Sequence, residues 1–190
     1  MIEERIHATK QYVKTLFADR ADGHDVAHTL RVHTNAMRIA QAEGLCDLEI
    51  VGLSALLHDA DDYKLFQTEN NANARTFLEE IGTPQNQIDQ ICQVINAVSF
   101  SKNHGKHPET IEGKIVQDAD RLDAIGAVGI ARTFSYGGYK GRLLTDTIQH
   151  FHDKLLLLKD EMNTETAKQM AESRHQFLIT FLNELEKELD

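Results

Sequence analysis

Apolar residues recur along most of the chain at intervals of three and four, the spacing of an amphipathic α-helix. The two-residue alternation typical of strands is nearly absent, and the chain has only 2 prolines. The pattern predicts helices at about 2–18, 24–43, 47–60, 68–81, 84–98, 110–133, 145–158 and 163–188. The predicted fold class is therefore all-α.

Helix ends and loops can also be predicted from the pattern. Gly44 is expected to end the second helix and Asp47 to cap the third. Two segments interrupt the helical pattern: the polar stretch 99–109 and the glycine-rich stretch 135–143, which reads SYGGYKGRL. We expect both to be loops, either ordinary connectors or, for 135–143, a lid over a site.

Composition narrows the class of protein. A chain of 190 residues with 41% hydrophobic and 26% charged residues is typical of one globular domain spanning 1–190. No apolar run approaches the roughly 18 residues of a membrane span, and the charged N-terminus does not resemble a secretory signal. The 2 cysteines favour a reducing compartment, so we expect a cytoplasmic protein. An oligomer is possible but is not predicted.

The net charge of −10 disfavours general coating of nucleic acid, which needs a basic surface. A local positive pocket for a phosphate ligand remains compatible with it.

A histidine and an aspartate stand at the end of an apolar helix. Residues 50–57 read IVGLSALL and lead directly into His58 and Asp59. Polar side chains at the buried end of such a helix need partners, and a metal ion satisfies both at once. One His-Asp pair is weak evidence, because His24 and Asp25 form a second.

His28 and the acidic stretch 117–123 provide further candidate metal ligands. His28 shares a helix face with Val32, Ala36 and Ile39, so it is either a core histidine or a ligand. Among the acids of the stretch 117–123, QDADRLD, helical periodicity places Asp118 on the apolar face and Asp120 about 200° away. The pattern alone favours Asp118 as the buried carboxylate.

Together these motifs resemble the HD superfamily of metal-dependent phosphohydrolases, and the C-terminal text resembles a stand-alone bacterial subgroup of it. The resemblance rests on His28 in HxxRV, on SALLHD ending in His58-Asp59, and on Asp120 in DADRLDAIGA. It covers about residues 20–185. It implies a helical bundle with the metal-site core at about 20–133 and additional C-terminal helices at 145–188 packed on it.

The resemblance also implies a ligand set and its cofactor. The metal ligands would be His28, His58, Asp59 and Asp120, with Asp118 as a supporting group or an alternative ligand. Two imidazoles and two carboxylates suit one divalent ion, which could be Mn²⁺, Mg²⁺, Co²⁺, Ni²⁺, Fe²⁺ or Zn²⁺. We favour Mn²⁺ or Mg²⁺.

Further roles follow from positions near these motifs. Many superfamily members carry an acid three residues after the HD pair; here it is Asp62, a candidate general acid or base, with Asp61 as its rival. Positive or protonatable groups that could neutralise phosphate are Lys64, Arg31, Lys102 and His104. For Arg31, an ion pair with a buried carboxylate is the alternative.

The predicted function is hydrolysis of a small nucleotide, with nucleoside triphosphate to monophosphate plus pyrophosphate ahead of monophosphate to nucleoside. The segment 58–62 reads HDADD and lacks the HDxGK-type pattern of cyclic-dinucleotide phosphodiesterases. One rival is a non-catalytic, metal-bound ligand sensor. Another is a two-iron oxygenase, which would need extra histidines such as His104 and His107.

Overall fold

A computed structural model describes residues 2–18, 25–63, 65–98 and 106–189. These residues form nine α-helices and one 3₁₀ helix, and no strand occurs among them. The all-α prediction is confirmed. In chain order the helices are α1 (Ile2–Leu16), α2 (Val26–Glu43), α3 (Leu48–Leu57), α4 (Ala72–Glu80), α5 (Gln85–Val98), α6 (Ile111–Asp123), α7 (Gly126–Tyr139), α8 (Leu144–Asp153), the 3₁₀ helix (Leu155–Glu161) and α9 (Glu165–Leu189).

Helix α3 forms the centre of the core. Residues 50–57 are all buried, and α3 packs against α1, α2, α5 and α6. The helix begins at Asp47, whose carboxylate accepts hydrogen bonds from the backbone N–H groups of Glu49 (2.9 Å) and Ile50 (3.1 Å). The predicted cap is therefore confirmed, and α3 ends with His58 inside the protein.

Helix α2 crosses both α3 and α6, so three elements meet around the end of α3. Asp25 caps its start by accepting a hydrogen bond from the backbone N–H of His28 at 2.7 Å. Gly44 ends it in the left-handed conformation with φ 77°, as predicted.

The C-terminal helices pack on this core. Helix α9 contacts α2, α6, α7 and the 3₁₀ helix. Phe134, Phe151 and Phe181 form an aromatic cluster among these helices, with ring centroids 5.5 to 6.5 Å apart.

Three predictions about this region were wrong. The helix predicted at 110–133 ends at Asp123, and a new helix begins at Gly126, whose φ is 76°. The bend brings the carbonyl oxygen of Ala124 so close to Gly129 that a Cβ there would lie 2.3 Å from it. Glycine is therefore required at this bend. Similarly, the helix predicted at 145–158 divides into α8 and the 3₁₀ helix.

The loop expected at 135–143 is the third wrong prediction, because α7 continues to Tyr139 and only a turn follows. Gly137 is buried, and a Cβ on it would lie 2.6 Å from the hydroxyl of Thr147 on α8. This glycine allows two helices to approach closely, and it does not mark a loop or a lid.

The structure also bears on the cysteines, on membrane-spanning helices and on the predicted loop at 99–109. Both Cys46 and Cys92 are free. Among the described residues, no helix combines the length and apolar character needed to cross a membrane. Most of the predicted loop 99–109 lies outside the described residues, which resume at position 106.

Candidate metal centre

His28 enters the centre from the first turn of α2. Its side chain is 3% exposed, and its Nδ1 lies 2.7 Å from Oδ2 of Asp123 on α6. Because a carboxylate accepts a hydrogen bond, Nδ1 is the protonated nitrogen. The other ring nitrogen, Nε2, therefore offers a lone pair.

His58 enters from the end of α3 and is oriented in a different way. Its Nδ1 lies 2.9 Å from the backbone carbonyl oxygen of Ala55, to which it donates. Its Nε2 is buried and makes no hydrogen bond to any described residue. The rings of His28 and His58 are 5.3 Å apart and nearly perpendicular, at 71°.

Two carboxylates face these ring nitrogens. Asp59 Oδ2 lies 3.2 Å from Nε2 of His58 and 3.6 Å from Nε2 of His28. Asp120 Oδ1 lies 3.4 Å from Nε2 of His28 and 3.9 Å from that of His58. Three separate helix ends or faces thus bring four polar side chains to one point.

The electrostatics of the cluster favour a bound positive charge. Burial opposes a charged imidazole, but Asp59 and Asp120 outweigh it and raise the pKa of His58 to about 9. Burial also opposes the charged form of His28, but the hydrogen bonds to Asp123 and Asp59 raise its pKa. Burial would raise the pKa of Asp59, but the two imidazoles hold it well below its usual range.

The cluster fits a divalent metal ion. Ligand atoms of His28, His58 and Asp120 all lie within 4.8 Å of one another. The unpartnered Nε2 of His58 faces inward beside Asp59, and imidazole with carboxylate is a donor set that Mn²⁺, Fe²⁺ and Zn²⁺ accept. The geometry brings together the four side chains that the resemblance implied as ligands.

Asp118 lies elsewhere. Its carboxylate is fully buried and accepts hydrogen bonds from the backbone N–H groups of Asn163 and Thr164, at 2.8 Å each, and from both side chains at 2.7 Å. Burial raises the pKa of Asp118, and these bonds oppose the rise. Asp118 anchors the start of α9. Periodicity correctly predicted it as the more buried carboxylate, but it faces Asn163 and Thr164 and not the cluster, so the geometry does not favour it as the alternative ligand.

The two acids after the HD pair also separate. Asp61 accepts hydrogen bonds from the hydroxyl of Thr68 (2.7 Å) and from the backbone N–H groups of Asn73 (2.9 Å) and Ala74 (3.0 Å). It therefore holds the start of α4. Asp62 is half-buried in the turn after the cluster, and its backbone N–H donates to the carbonyl of Asp59 at 3.1 Å.

The predicted phosphate-binding residues are only partly described. Lys64, Lys102 and His104 lie outside the described residues. Arg31 pairs with the buried Asp123 through Nε–Oδ1 at 2.7 Å and NH2–Oδ2 at 3.0 Å. The alternative considered for Arg31, an ion pair with a buried carboxylate, is what the structure shows; contact with substrate stays a prediction.

Asp123 is the residue that the sequence analysis did not single out. It is 2% exposed and also contacts Arg132, whose NH1 lies 2.7 Å from Oδ2. Burial would raise its pKa, but His28 and Arg31 hold it well below the usual range. A signal was available, since Asp123 follows Asp120 by three residues and so lies on the same side of α6.

Of the two histidines considered for an oxygenase, His104 lies outside the described residues, and His107 does not extend the cluster. His107 is exposed and lies 2.5 Å, through Nδ1, from the side-chain oxygen of Asn163. Among the described residues, the metal-type cluster consists of His28, His58 and Asp120, with Asp59 beside it.

Comparison with known proteins defines the class. The HD domain model matches residues 26–125, more than half of the chain, and includes all four residues of the cluster. The chain belongs to the HD domain family, in the superfamily of metal-dependent phosphohydrolases.

Several relatives resemble the chain over nearly its full length. The YpgQ protein of Bacillus subtilis is 43% identical over 189 residues, covering 95% of this chain and 91% of YpgQ. A crystal structure of YpgQ in complex with ADP superposes with a TM-score of 0.84 at 38% structural-alignment identity, covering 96% of this chain and 97% of that one.

An HD-superfamily hydrolase from Bacillus thuringiensis superposes with a TM-score of 0.82 at 39% identity, covering 100% of this chain and 98% of that one. These likenesses support a hydrolase of the HD type.

Proposed function

We propose that this chain is a divalent-metal-dependent phosphohydrolase that cleaves nucleoside triphosphates to monophosphate and pyrophosphate. The observation that carries the proposal is the convergence of His28, His58, Asp59 and Asp120, with ring nitrogens facing carboxylates at 3.2 to 3.9 Å. Without a cation, two carboxylates would lie against the same two imidazoles, and the buried Nε2 of His58 would make no hydrogen bond to a described residue.

Different residues of this chain would bind the metal ion and transfer the proton. His28, His58, Asp59 and Asp120 would hold the metal ion. When bound, a divalent ion supplies Lewis-acid chemistry, lowering the pKa of water and polarising a phosphoryl oxygen. Asp62, in the turn directly after Asp59, would accept or return the proton of the attacking water.

The nucleotide assignment has separate support. The crystal structure of YpgQ, 38% identical to this chain, contains ADP. A nucleotide carries several phosphate charges, and the chain offers Lys64, which follows Asp59 closely in sequence, and Lys102 and His104 of the segment 99–109 as candidate partners. Cleavage at the bond that releases pyrophosphate remains our preference because these groups provide more positive charge than one phosphate needs.

The test is product analysis with a panel of nucleoside tri-, di- and monophosphates. Metal-stripped protein would be resupplied with Mn²⁺, Mg²⁺, Co²⁺, Ni²⁺ or Zn²⁺, and pyrophosphate and orthophosphate would be measured separately. We expect pyrophosphate from triphosphates. We also expect His58→Gln to lower kcat/KM about a thousandfold, because it removes a metal ligand.

His7→Gln is the matched control, since His7 is exposed and distant in sequence from the cluster. Orthophosphate released from monophosphates would replace the triphosphate proposal with a monophosphate phosphatase. Absence of turnover from folded, metal-loaded protein would reject catalysis and favour the ligand sensor.

A further inference from the structure

We propose that Asp123, clamped by Arg31 and Arg132, is a positioning residue that fixes the ring of His28 for metal binding. The inference rests on the proposed metal site, but it concerns a residue that does not itself face the site. It gives a role to the buried carboxylate of Asp123 and its two arginines, which the proposed metal chemistry does not explain.

Asp123 lies on α6, and its contacts come from two other helices, α2 and α7. Oδ2 lies 2.7 Å from Nδ1 of His28 on α2 and 2.7 Å from NH1 of Arg132 on α7. Arg31, also on α2, binds both oxygens through a fork at 2.7 and 3.0 Å. The carboxylate is 2% exposed, whereas Arg31 and Arg132 are 35% and 26% exposed.

A purely structural role would not require this arrangement. Taking a carboxylate out of water is costly, and well-packed apolar residues often stabilise a core as well as a buried ion pair does. Asp118 on the same helix is buried with hydrogen bonds from four uncharged donors. Asp123 instead uses two arginines and directs one oxygen at a histidine.

The arrangement determines which nitrogen of His28 carries the proton. A carboxylate kept ionised by two guanidinium groups accepts a hydrogen bond from Nδ1–H, so Nε2 keeps its lone pair. The ring is then held with Nε2 directed at Asp59 and Asp120. A carboxylate behind a metal-binding histidine also makes the imidazole a stronger ligand.

The test measures Mn²⁺ binding by titration calorimetry, without substrate. We expect Asp123→Ala to weaken Mn²⁺ binding about 10- to 100-fold. Asp123→Asn should recover part of this loss, because the amide oxygen can still accept the Nδ1 hydrogen bond while the charge is gone. Asp118→Ala is the matched control, since it removes an equally buried aspartate of α6 that does not touch His28.

The control separates positioning from folding. Asp118→Ala should leave Mn²⁺ affinity within about twofold of the natural chain, even though it lowers stability. Unchanged affinity in folded Asp123→Ala, or equal losses in both alanine variants, would overturn the inference. Because no nucleotide is used, lack of turnover would reject the proposed function without deciding this question.

A second measurement applies even if the Asp123 variants fail to fold. In the Zn²⁺-loaded natural chain, imidazole ¹⁵N spectroscopy distinguishes the two ring nitrogens, and His28→Gln assigns the signals. We expect the proton of His28 on Nδ1 and the metal on Nε2. A proton on Nε2, or a His28 ring that is not bound to the metal, would contradict the proposal.

Discussion

Asp118 and Asp120 lie two residues apart on α6 and have opposite surroundings. Asp118 is fully buried, and four hydrogen-bond donors from Asn163 and Thr164 meet its oxygens. Asp120 is 35% exposed, and its nearest partners are the Nε2 atoms of His28 and His58 at 3.4 and 3.9 Å. Asp118 is fully hydrogen-bonded by the protein, whereas Asp120 is the proposed ligand of a cation.

The difference shows that burial is a poor guide to function among acids. Residues two positions apart in an α-helix are rotated by about 200° about the helix axis, so the two carboxylates point to different sides of α6. The more buried one faces the loop before α9 and is structural. The less buried one faces the ring nitrogens of His28 and His58, and this arrangement is what makes it a proposed metal ligand.

Asp120→Ala gives the largest effect expected on this comparison. It removes a proposed metal ligand, so kcat/KM for nucleotide hydrolysis should fall about a thousandfold. The free energy of unfolding of the metal-free protein should change by about 1 kcal/mol at most, because Asp120 is partly exposed. Steady-state kinetics and urea unfolding with chelator measure the two quantities.

Asp118→Ala should give the reverse outcome. Removing the acceptor leaves the buried N–H groups of Asn163 and Thr164 without partners, which should lower the free energy of unfolding by about 3 kcal/mol. Below its unfolding transition, the variant should keep kcat/KM within about threefold. If Asp118→Ala abolished turnover in folded protein while Asp120→Ala did not, the two assignments would have to be exchanged.

The sequence predicted most of the helical fold, and the errors have a common physical cause. Caps such as Asp47 and Gly44 act locally, so they could be identified from neighbouring residues. The bend at Gly126 and the close approach at Gly137 depend on what another segment brings to the glycine. The residues next to Gly126 and Gly137 therefore did not show which of them begins a new helix and which lets two helices pack closely.

The residues of the candidate site also fall into those that a local motif predicts and those that depend on distant parts of the chain. The HD pair, His28 and Asp120 follow a motif, so the resemblance could bring them together. The partner of Arg31 could not be predicted, because Asp123 is 92 residues away along the chain. Periodicity favoured Asp118 for its apolar neighbours, and those neighbours pointed correctly to burial but not to the donors that satisfy it.

A second pair, His33 and His58, sharpens the comparison and gives the smallest predicted effect. Both are buried with an Nε2 that makes no hydrogen bond to a described residue. Asp59 and Asp120 stand beside His58, whereas burial and the charge of Lys10 lower the pKa of His33 to about 4. An unpartnered ring nitrogen therefore indicates a cation site only where carboxylates face it.

The low pKa of His33 predicts acid sensitivity. The unfolded chain takes up a proton at this side chain near pH 6.5, while the folded protein resists it until about pH 4. Stability that is present above pH 6.5 is therefore lost as the pH falls toward 4, by about 2 kcal/mol from this residue. Urea unfolding of metal-free protein at pH 7 and pH 4.5 measures the loss.

In His33→Leu the decrease in stability between these pH values should be smaller by that amount, because the titrating group is gone. His7→Leu, at an exposed histidine, should keep the pH dependence of the natural chain. Titration of His28 and His58 contributes equally to all three proteins and cancels in the difference. An identical pH dependence in His33→Leu would show that the folded protein accepts the proton at His33, and the contrast with His58 would then no longer hold.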